Sequence, residues 1–183
     1  MNTFLIILFL VIILMLLLGI GYIYFYNQIN DRIIRIKEAE SRIDDNLRDK
    51  YDALNKAVSI VKNKIELNSI TFRSLAMLKT QKISNFDLDR SLVKSYNELL
   101  TVYEENKKKL NDSDELYKTI KELELIDEEL VVLREYYNGN ITSYNKMIKK
   151  FPSLIVAKIK KYKEKLFYDL KDMNDDDIED FKL

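Results

Sequence analysis

The stretch ELYKTIKELELIDEELVVLREYYNGNITSYNKMIKKFP, Glu115–Pro152, indicates the fold class of this chain. Its apolar residues recur every three or four positions from Leu116 to Phe151. This spacing places them on one face of an amphipathic α-helix. The chain's only proline, Pro152, ends the run because it lacks a backbone donor and disfavours helical geometry at the residue before it. We therefore predict one long helix that packs against others of its kind.

Three earlier segments carry the same helical spacing. One runs from Ile29 to Ile65, a shorter one covers residues 69–83, and a third begins at SNFD, residues 84–87, where Ser84 can cap the free N–H groups. The sequence NDSDE, residues 111–115, predicts the start of the long helix, with Asp112 as its cap. Together these segments predict an all-α protein with an antiparallel helical bundle over residues 29–151.

The N-terminal segment is apolar and contains no Asp, Glu, Lys or Arg within residues 1–30. Its core, Phe4–Tyr26, would form a helix of about 35 Å, long enough for a hydrocarbon layer of about 30 Å. A soluble core could not cover so long a helix that is apolar all round. A cleavable signal peptide is disfavoured because no basic residue precedes the run and no A-x-A site follows it. We predict a transmembrane anchor over residues 1–28.

Basic residues follow this predicted span, whereas none precedes it. Basic residues near a span resist translocation, so we expect the body in the cytoplasm and the N-terminus outside. The chain would then be a single-pass protein of the cell membrane. The residues that carry this prediction are Arg32, Arg35, Lys37, Arg42, Arg48 and Lys50.

After Pro152, residues 152–168 form a basic amphipathic segment, predicted to be a helix with Ile155, Ile159, Tyr162 and Leu166 on one face. Such a helix either lies on an anionic membrane surface or packs on the bundle with its lysines in water. Both interpretations remain open at this stage. The lysines concerned are Lys158, Lys160, Lys161, Lys163 and Lys165. The last residues, 169–183, are acidic and poor in apolar side chains, which predicts a disordered tail.

The composition argues against several classes of chemistry. The chain has no histidine and no cysteine, which excludes Ser-His and Cys nucleophiles, thiolate metal sites and the Glu-x-x-His di-iron site. The 30 basic residues balance the 30 acidic residues, so no excess positive charge favours nucleic acid. We expect a protein that is not an enzyme and that uses no cofactor, no metal and no nucleic-acid partner.

Two blocks behind the apolar segment resemble the bacterial LemA family. The first is IKEAESRIDDNLRDKYDALNKAVSIVK and the second is LREYYNGNITSYNKMIKKFPSLIVAK. Matching positions in the first block are Glu38, Ala39, Ile43, Asp44, Leu47, Tyr51, Asp52 and Leu54, with Leu99 beyond it. In the second block they are Tyr136, Tyr137, Asn138, Tyr144, Asn145, Phe151, Pro152 and Ala157.

The resemblance implies a membrane-anchored antiparallel helical bundle. It also implies that the second block, apart from Ala157, packs the last long helix against the first. The chain departs from the family where lysines replace the usual Gly- and aromatic-rich ending after Phe151-Pro152. The family's molecular activity is poorly defined, so the resemblance implies a location and a fold.

Three functional hypotheses follow from these patterns. The first is a non-enzymatic scaffold or protein-interaction module that is tethered to the membrane and engages unknown protein partners through an exposed helix face. The second is a protein that binds anionic lipid through the basic segment. The third is an envelope protein that self-associates into a homo-oligomer through coiled-coil residues left uncovered.

Overall fold

A computed structural model describes residues 2–68, 70–78, 84–110 and 114–168. Within these ranges the chain forms α-helices and no β-strand, which confirms the predicted all-α class. The helices are α1 (Asn2–Lys64), α2 (Arg73–Leu78), α3 (Asn85–Glu105), α4 (Lys107–Leu110), α5 (Asp114–Lys149) and α6 (Ser153–Lys160). The helical spacing therefore reported the secondary structure correctly for the long elements.

The chain divides into two compact units. Unit 1 comprises residues 1–38 and 137–167, and unit 2 comprises residues 39–136 and 168–183. Their described parts exclude Met1 in unit 1 and residues 69, 79–83, 111–113 and 169–183 in unit 2. The predicted caps of α5 and the predicted disordered tail fall in these omitted ranges, so those two predictions lie outside the described residues.

Unit 2 is a bundle of α1, α3 and α5, in which α5 runs antiparallel to α1. Arg42 pairs with Glu129 at 2.9 Å, and further along α1 Lys56 pairs with Glu115 at 3.7 Å. Because the residue numbers rise along α1 while they fall along α5, these two helices are antiparallel. At the start of α3, Asn85 donates to Asp44 of α1. Further along both helices, Lys50 of α1 lies near Tyr96 of α3, so α3 runs parallel to α1. The predicted antiparallel arrangement is therefore confirmed for α1 and α5.

The core of unit 2 consists of the apolar stripes of its helices. Residues predicted to line α1, such as Leu47 and Leu54, are fully buried, as are Leu92 and Leu99 of α3. Complete burial of such a side chain is worth about 1.5–3 kcal/mol relative to exposure. The burial of one apolar face of each helix against the others therefore supplies most of the stability of these helices.

One of two local predictions, the Ser84 cap of α3, agrees with the structure, whereas the helix predicted before α3 agrees only in part. Ser84 caps α3 as predicted, accepting from the Asp87 N–H at 3.2 Å. The predicted helix over residues 69–83 is described only as the six residues of α2. Phe72, predicted to lie on that helix, precedes it with a φ of 61° and is buried. That prediction was wrong for Phe72, because a positive φ is incompatible with a right-handed helix.

Unit 1 contains the N-terminal part of α1, the end of α5 and all of α6. Residues 3–20 of α1 are exposed along their whole length, and partial burial begins at Gly21. The helix carrying this run, Thr3–Lys64, is long and apolar enough at its N-terminal end to cross a membrane, by length and composition. Ile29 and Ile36 then begin the buried stripe that was predicted.

Candidate functional site

The end of α5 places the paired tyrosines of the second sequence block in the interior of unit 1. Tyr137 and Tyr144, seven residues apart, are both buried, together with Ile141 and Ile148. Tyr136 is 40% exposed and lies outside this stripe. The predicted packing of Tyr137 and Tyr144 is what a heptad spacing produces.

Tyr144 and Asn145 hold the chain segment that follows α6. The Tyr144 hydroxyl donates to the Lys163 carbonyl at 2.9 Å. The Asn145 side chain donates from Nδ2 to the Lys165 carbonyl at 2.8 Å, and its Oδ1 accepts from the Lys165 N–H at 2.9 Å. One side-chain amide thus satisfies both backbone groups of a residue with no regular secondary structure. We call this set of three hydrogen bonds the Asn145 clamp.

Asn140 is a functional candidate that the sequence reasoning missed. It is only 6% exposed, and its Oδ1 accepts a long hydrogen bond of 3.4 Å from Arg32 of α1. Asn138, for which the family resemblance implied packing against α1, is half-buried. The signal for Asn140 was its position three residues after Tyr137, on the buried side of the same helix.

The turn between α5 and α6 differs from the prediction in one respect. Pro152 ends α5 as expected, but Phe151, predicted to pack, is 73% exposed. That packing prediction was wrong because α5 ends at Lys149, so the helical spacing no longer applies two residues later. Ser153 was missed: its hydroxyl bonds the Met147 and Lys150 carbonyls at 2.6 and 2.8 Å, satisfying groups left free at the helix end.

The basic segment also differs from its prediction. The helix expected to reach Leu166 ends at Lys160, because Lys161 adopts a left-handed conformation with a φ of 55°. The Tyr162 N–H then bonds the Ala157 carbonyl at 3.0 Å, closing the helix in a Schellman motif. Residues 162–168 continue without helical structure.

The predicted apolar face of α6 does not pack within unit 1. Ile155 and Ile159 are 52% and 60% exposed, whereas Val156 and Ala157 on the opposite side are buried. Because Val156 and Ala157 face the interior of unit 1, the side of α6 that carries Ile155 and Ile159 is directed away from that interior. Of the lysines, Lys158, Lys160, Lys161 and Lys163 are exposed and Lys165 is half-buried.

The junction between the apolar run and the rest of unit 1 is built from tyrosines. Tyr22 and Tyr26 stack with ring centroids 6.3 Å apart. The Tyr162 hydroxyl donates to Asn30 Oδ1 at 3.0 Å, and Lys160 Nζ lies 5.0 Å from the centre of the Tyr26 ring. Burial, together with Tyr26 and Tyr22, raises the pKa of Tyr162. The segment after α6 is therefore fastened to α1 just past the apolar run.

A sequence model of the LemA family matches residues 39–179, which is most of the chain. The chain belongs to the LemA family. Comparisons with curated proteins and with solved structures find no match for it. The matched range includes every residue of the Asn145 clamp and the Phe151-Pro152 turn. The resemblance stated from the two sequence blocks is thereby confirmed.

In this LemA-family chain, unit 2 also contains charged groups in its interior. Lys50 is fully buried, pairs with Asp127 and lies 5.8 Å from the Tyr96 ring. Asp89 is fully buried and accepts from Arg134 Nη2 at 2.6 and 2.8 Å. Neither group was identified from the sequence. For Lys50 the available signal was its spacing, because it lies three residues after Leu47 and four before Leu54, on the buried face of α1.

Tyr168 completes the second of these clusters. Its hydroxyl donates to Asp89 at 3.0 Å, its ring lies against Phe86, and the Arg134 guanidinium is 5.7 Å from the ring centre. Burial and the neighbouring Asp89 carboxylate raise the pKa of Tyr168. The buried charges of unit 2 are thus compensated, as burial in a medium of low polarity requires.

Unit 2 of the LemA-family chain has one further feature, an open groove between α1 and α5. Its apolar lining comes from Ala53, Leu125, Ile126 and Tyr117. Leu125 is 66% exposed, and Val132, seven residues further along α5, is 63% exposed. The rim carries charges of both signs, from Asp49, Asp52, Lys56, Lys118, Lys121, Glu122 and Glu129.

The described residues offer little for metal chemistry. Across residues 2–68, 70–78, 84–110 and 114–168, no three acidic side chains are grouped so that they could hold a metal ion. The chemistry that the structure presents is instead an exposed apolar run, a basic segment beside it and an open groove.

Proposed function

We propose that this protein is a non-enzymatic scaffold, anchored in the cell membrane by the N-terminal part of α1. The observation that carries the proposal is the contrast along one helix. Residues 3–20 are apolar and exposed on every side, yet the same helix supplies buried core residues from Ile29 onwards. Exposed apolar surface of this extent is stable in a bilayer and not in water.

The proposed topology is single-pass, with the body in the cytoplasm and the N-terminus outside. Its support is the distribution of basic residues, which are absent before the run and frequent after it. Protease treatment of spheroplasts tests this side assignment. Cleavage of the body by external protease in intact spheroplasts would contradict it.

The proposed interaction surface is the groove of unit 2. Leu125 lines the groove, and Val132, which lies beyond it on α5, is also exposed. Exposed apolar side chains along one helix are typical of a face that accepts a partner. A protein partner could bury these side chains while its own charges meet the mixed rim. The proposal names no partner, because the groove's chemistry selects only a surface with an apolar centre and a polar edge.

Photo-crosslinking in living cells tests this surface. A photoreactive residue at Leu125 of the full-length chain should give a discrete protein adduct that is also obtained from Val132. The matched control is Ile70, which is 67% exposed in the same unit but does not lie on α5. Identical patterns from Leu125 and Ile70 would contradict the scaffold. An adduct between two copies of the chain would favour the self-associating alternative.

A second candidate function is binding of anionic lipid through the basic segment. The specific observation is that Lys160 lies against Tyr26 at the end of the apolar run, while Lys158 and Lys161 are exposed nearby. A base near an anionic surface contributes about 1 kcal/mol. Enrichment of phosphatidylglycerol over phosphatidylcholine around the reconstituted protein would support this function. Loss of the enrichment in a variant with Lys158, Lys160 and Lys161 changed to Gln is expected.

A further inference from the structure

One contact in unit 1 indicates how far the end of α5 extends along α1. Arg32 of α1 bonds Asn140 of α5, and the two helices run in opposite directions. Phe151 is 11 residues after Asn140, and Gly21 is 11 residues before Arg32. The interval on α1 spans about 16 Å, and the nine residues of α5 from Asn140 to Lys149 span about 13 Å before the two residues that lead to Phe151. The Phe151-Pro152 turn therefore lies beside α1 at about the level of Gly21.

The burial of α1 supports this level independently. Residues 3–20 are exposed throughout, and the first partly buried residues are Gly21 and Tyr22. The hairpin of α5 and α6 therefore covers α1 down to Gly21 and no further. The 18 residues from Thr3 to Ile20 give about 27 Å of uncovered helix, which matches a hydrocarbon layer of about 30 Å.

Helix α6 then rises away from this level. Phe151, just before α6, lies near the level of Gly21. Lys160, the last residue of α6, contacts Tyr26. Tyr26 is five positions after Gly21, which corresponds to about 7 Å, close to the thickness of one headgroup layer. The hairpin thus extends across the region where headgroups surround the end of a spanning helix.

The outward face of this hairpin has the chemistry of that region. Phe151, Ile155 and Ile159 are 73%, 52% and 60% exposed, and Lys158 lies between the two isoleucines on the same side of α6. Apolar side chains with lysines at their edge are typical of elements that lie in the membrane interface. A protein partner could reach Phe151 only by displacing the lipid headgroups around Ile20.

We propose that Phe151, Ile155 and Ile159 form an interfacial wedge that dips into the bilayer beside the spanning helix, with Phe151 deepest and Ile159 shallowest. This inference rests on the proposed anchor and deepens it. The LemA-family protein would then be held at the membrane by a helix and a wedge, and the wedge would fix the angle at which α1 leaves the bilayer.

Single tryptophans test the wedge, because the chain contains no tryptophan of its own. The full-length protein is placed in nanodiscs whose lipids carry bromine on the acyl chains, which quenches tryptophan on contact. The test variants are Phe151→Trp, Ile155→Trp and Ile159→Trp. The controls are Leu10→Trp in the uncovered run and Ile34→Trp, an exposed α1 position about 20 Å past Gly21. All five sites are exposed, so the fold should tolerate the change.

We expect quenching to decrease in the order Leu10, Phe151, Ile155, Ile159 and Ile34, with Phe151→Trp quenched at least twofold more than Ile34→Trp. Equal quenching of Phe151→Trp and Ile34→Trp, with Leu10→Trp strongly quenched, would overturn the wedge and leave the anchor intact. The reverse order from Ile159 to Phe151 would also overturn it. An unquenched Leu10→Trp would instead refute the anchor itself.

Discussion

Replacement of Asn145 by alanine tests whether the family signature acts as a clamp. The side chain makes two hydrogen bonds, at 2.8 and 2.9 Å, to the backbone of Lys165. A typical hydrogen bond contributes about 0.5–1.5 kcal/mol net, so two contribute about 1–3 kcal/mol. Every 1.4 kcal/mol changes an equilibrium constant tenfold, so the open form of residues 162–167 should become roughly 5- to 150-fold more populated.

Hydrogen exchange measured by mass spectrometry on the full-length protein in nanodiscs reads out this opening. Amides of residues 162–167 should exchange faster in Asn145→Ala by the factor given above, while the interior of α5 stays protected. The matched control is Asn46→Ala, whose side chain donates at 3.0 Å to the Arg42 carbonyl of its own helix. It should leave exchange at residues 162–167 unchanged.

The result that refutes the clamp is equal exchange of residues 162–167 in Asn145→Ala and the wild type. That outcome would mean that Tyr144 and the Schellman closure hold the segment without Asn145. Faster exchange over the whole protein would refute the local effect, because it would place Asn145 in the global stability of unit 1.

Three further predictions concern stability. Asp89→Asn leaves the largely buried Arg134 without its counter-ion and should cost about 3–5 kcal/mol, whereas Glu129→Gln in an exposed pair should cost at most about 1 kcal/mol; thermal unfolding by circular dichroism compares them. Lys161→Gly should stabilise the chain by about 1 kcal/mol because Lys161 has a φ of 55°, and Lys158→Gly inside α6 should destabilise it by a similar amount; equal effects would contradict the αL argument. Burial raises the pKa values of Tyr144 and Tyr162, and burial with Asp89 raises that of Tyr168, so their contribution is complete below about pH 10 and is lost at higher pH. Thermal midpoints measured from neutral to alkaline pH should fall above this value, and less steeply in Tyr168→Phe.

Much of the fold was predictable because an amphipathic helix leaves a periodic pattern within its own segment of sequence. Leu47, Leu54 and their neighbours recur every three or four residues because one side of α1 contacts the core. The same holds for the cap at Ser84, whose acceptor and donor lie three residues apart. Such signals need no knowledge of what lies across the interface.

The errors came from positions where a helix ends. The spacing assigned Phe151 to the α5 stripe, yet Phe151 is exposed. It also extended the helix after Pro152 to Leu166, yet α6 ends at Lys160. Helix termini depend on caps such as the left-handed Lys161 and the Ser153 hydroxyl, which the apolar periodicity does not encode. The bonding partners of Asn145 lie 20 residues away, so their hydrogen bonds could not be found from spacing alone.

The amino-acid order on its own established an all-α protein with one apolar run long enough to cross a membrane, since periodicity and length are properties of a single segment. Only the folded chain revealed that Asn145 holds Lys165, that Lys50 and Asp89 are buried with counter-ions, and that Phe151 stands exposed beside the apolar run. These features depend on groups distant in sequence meeting in space, and the physical cost of leaving a buried polar group unpaired determines which of them meet.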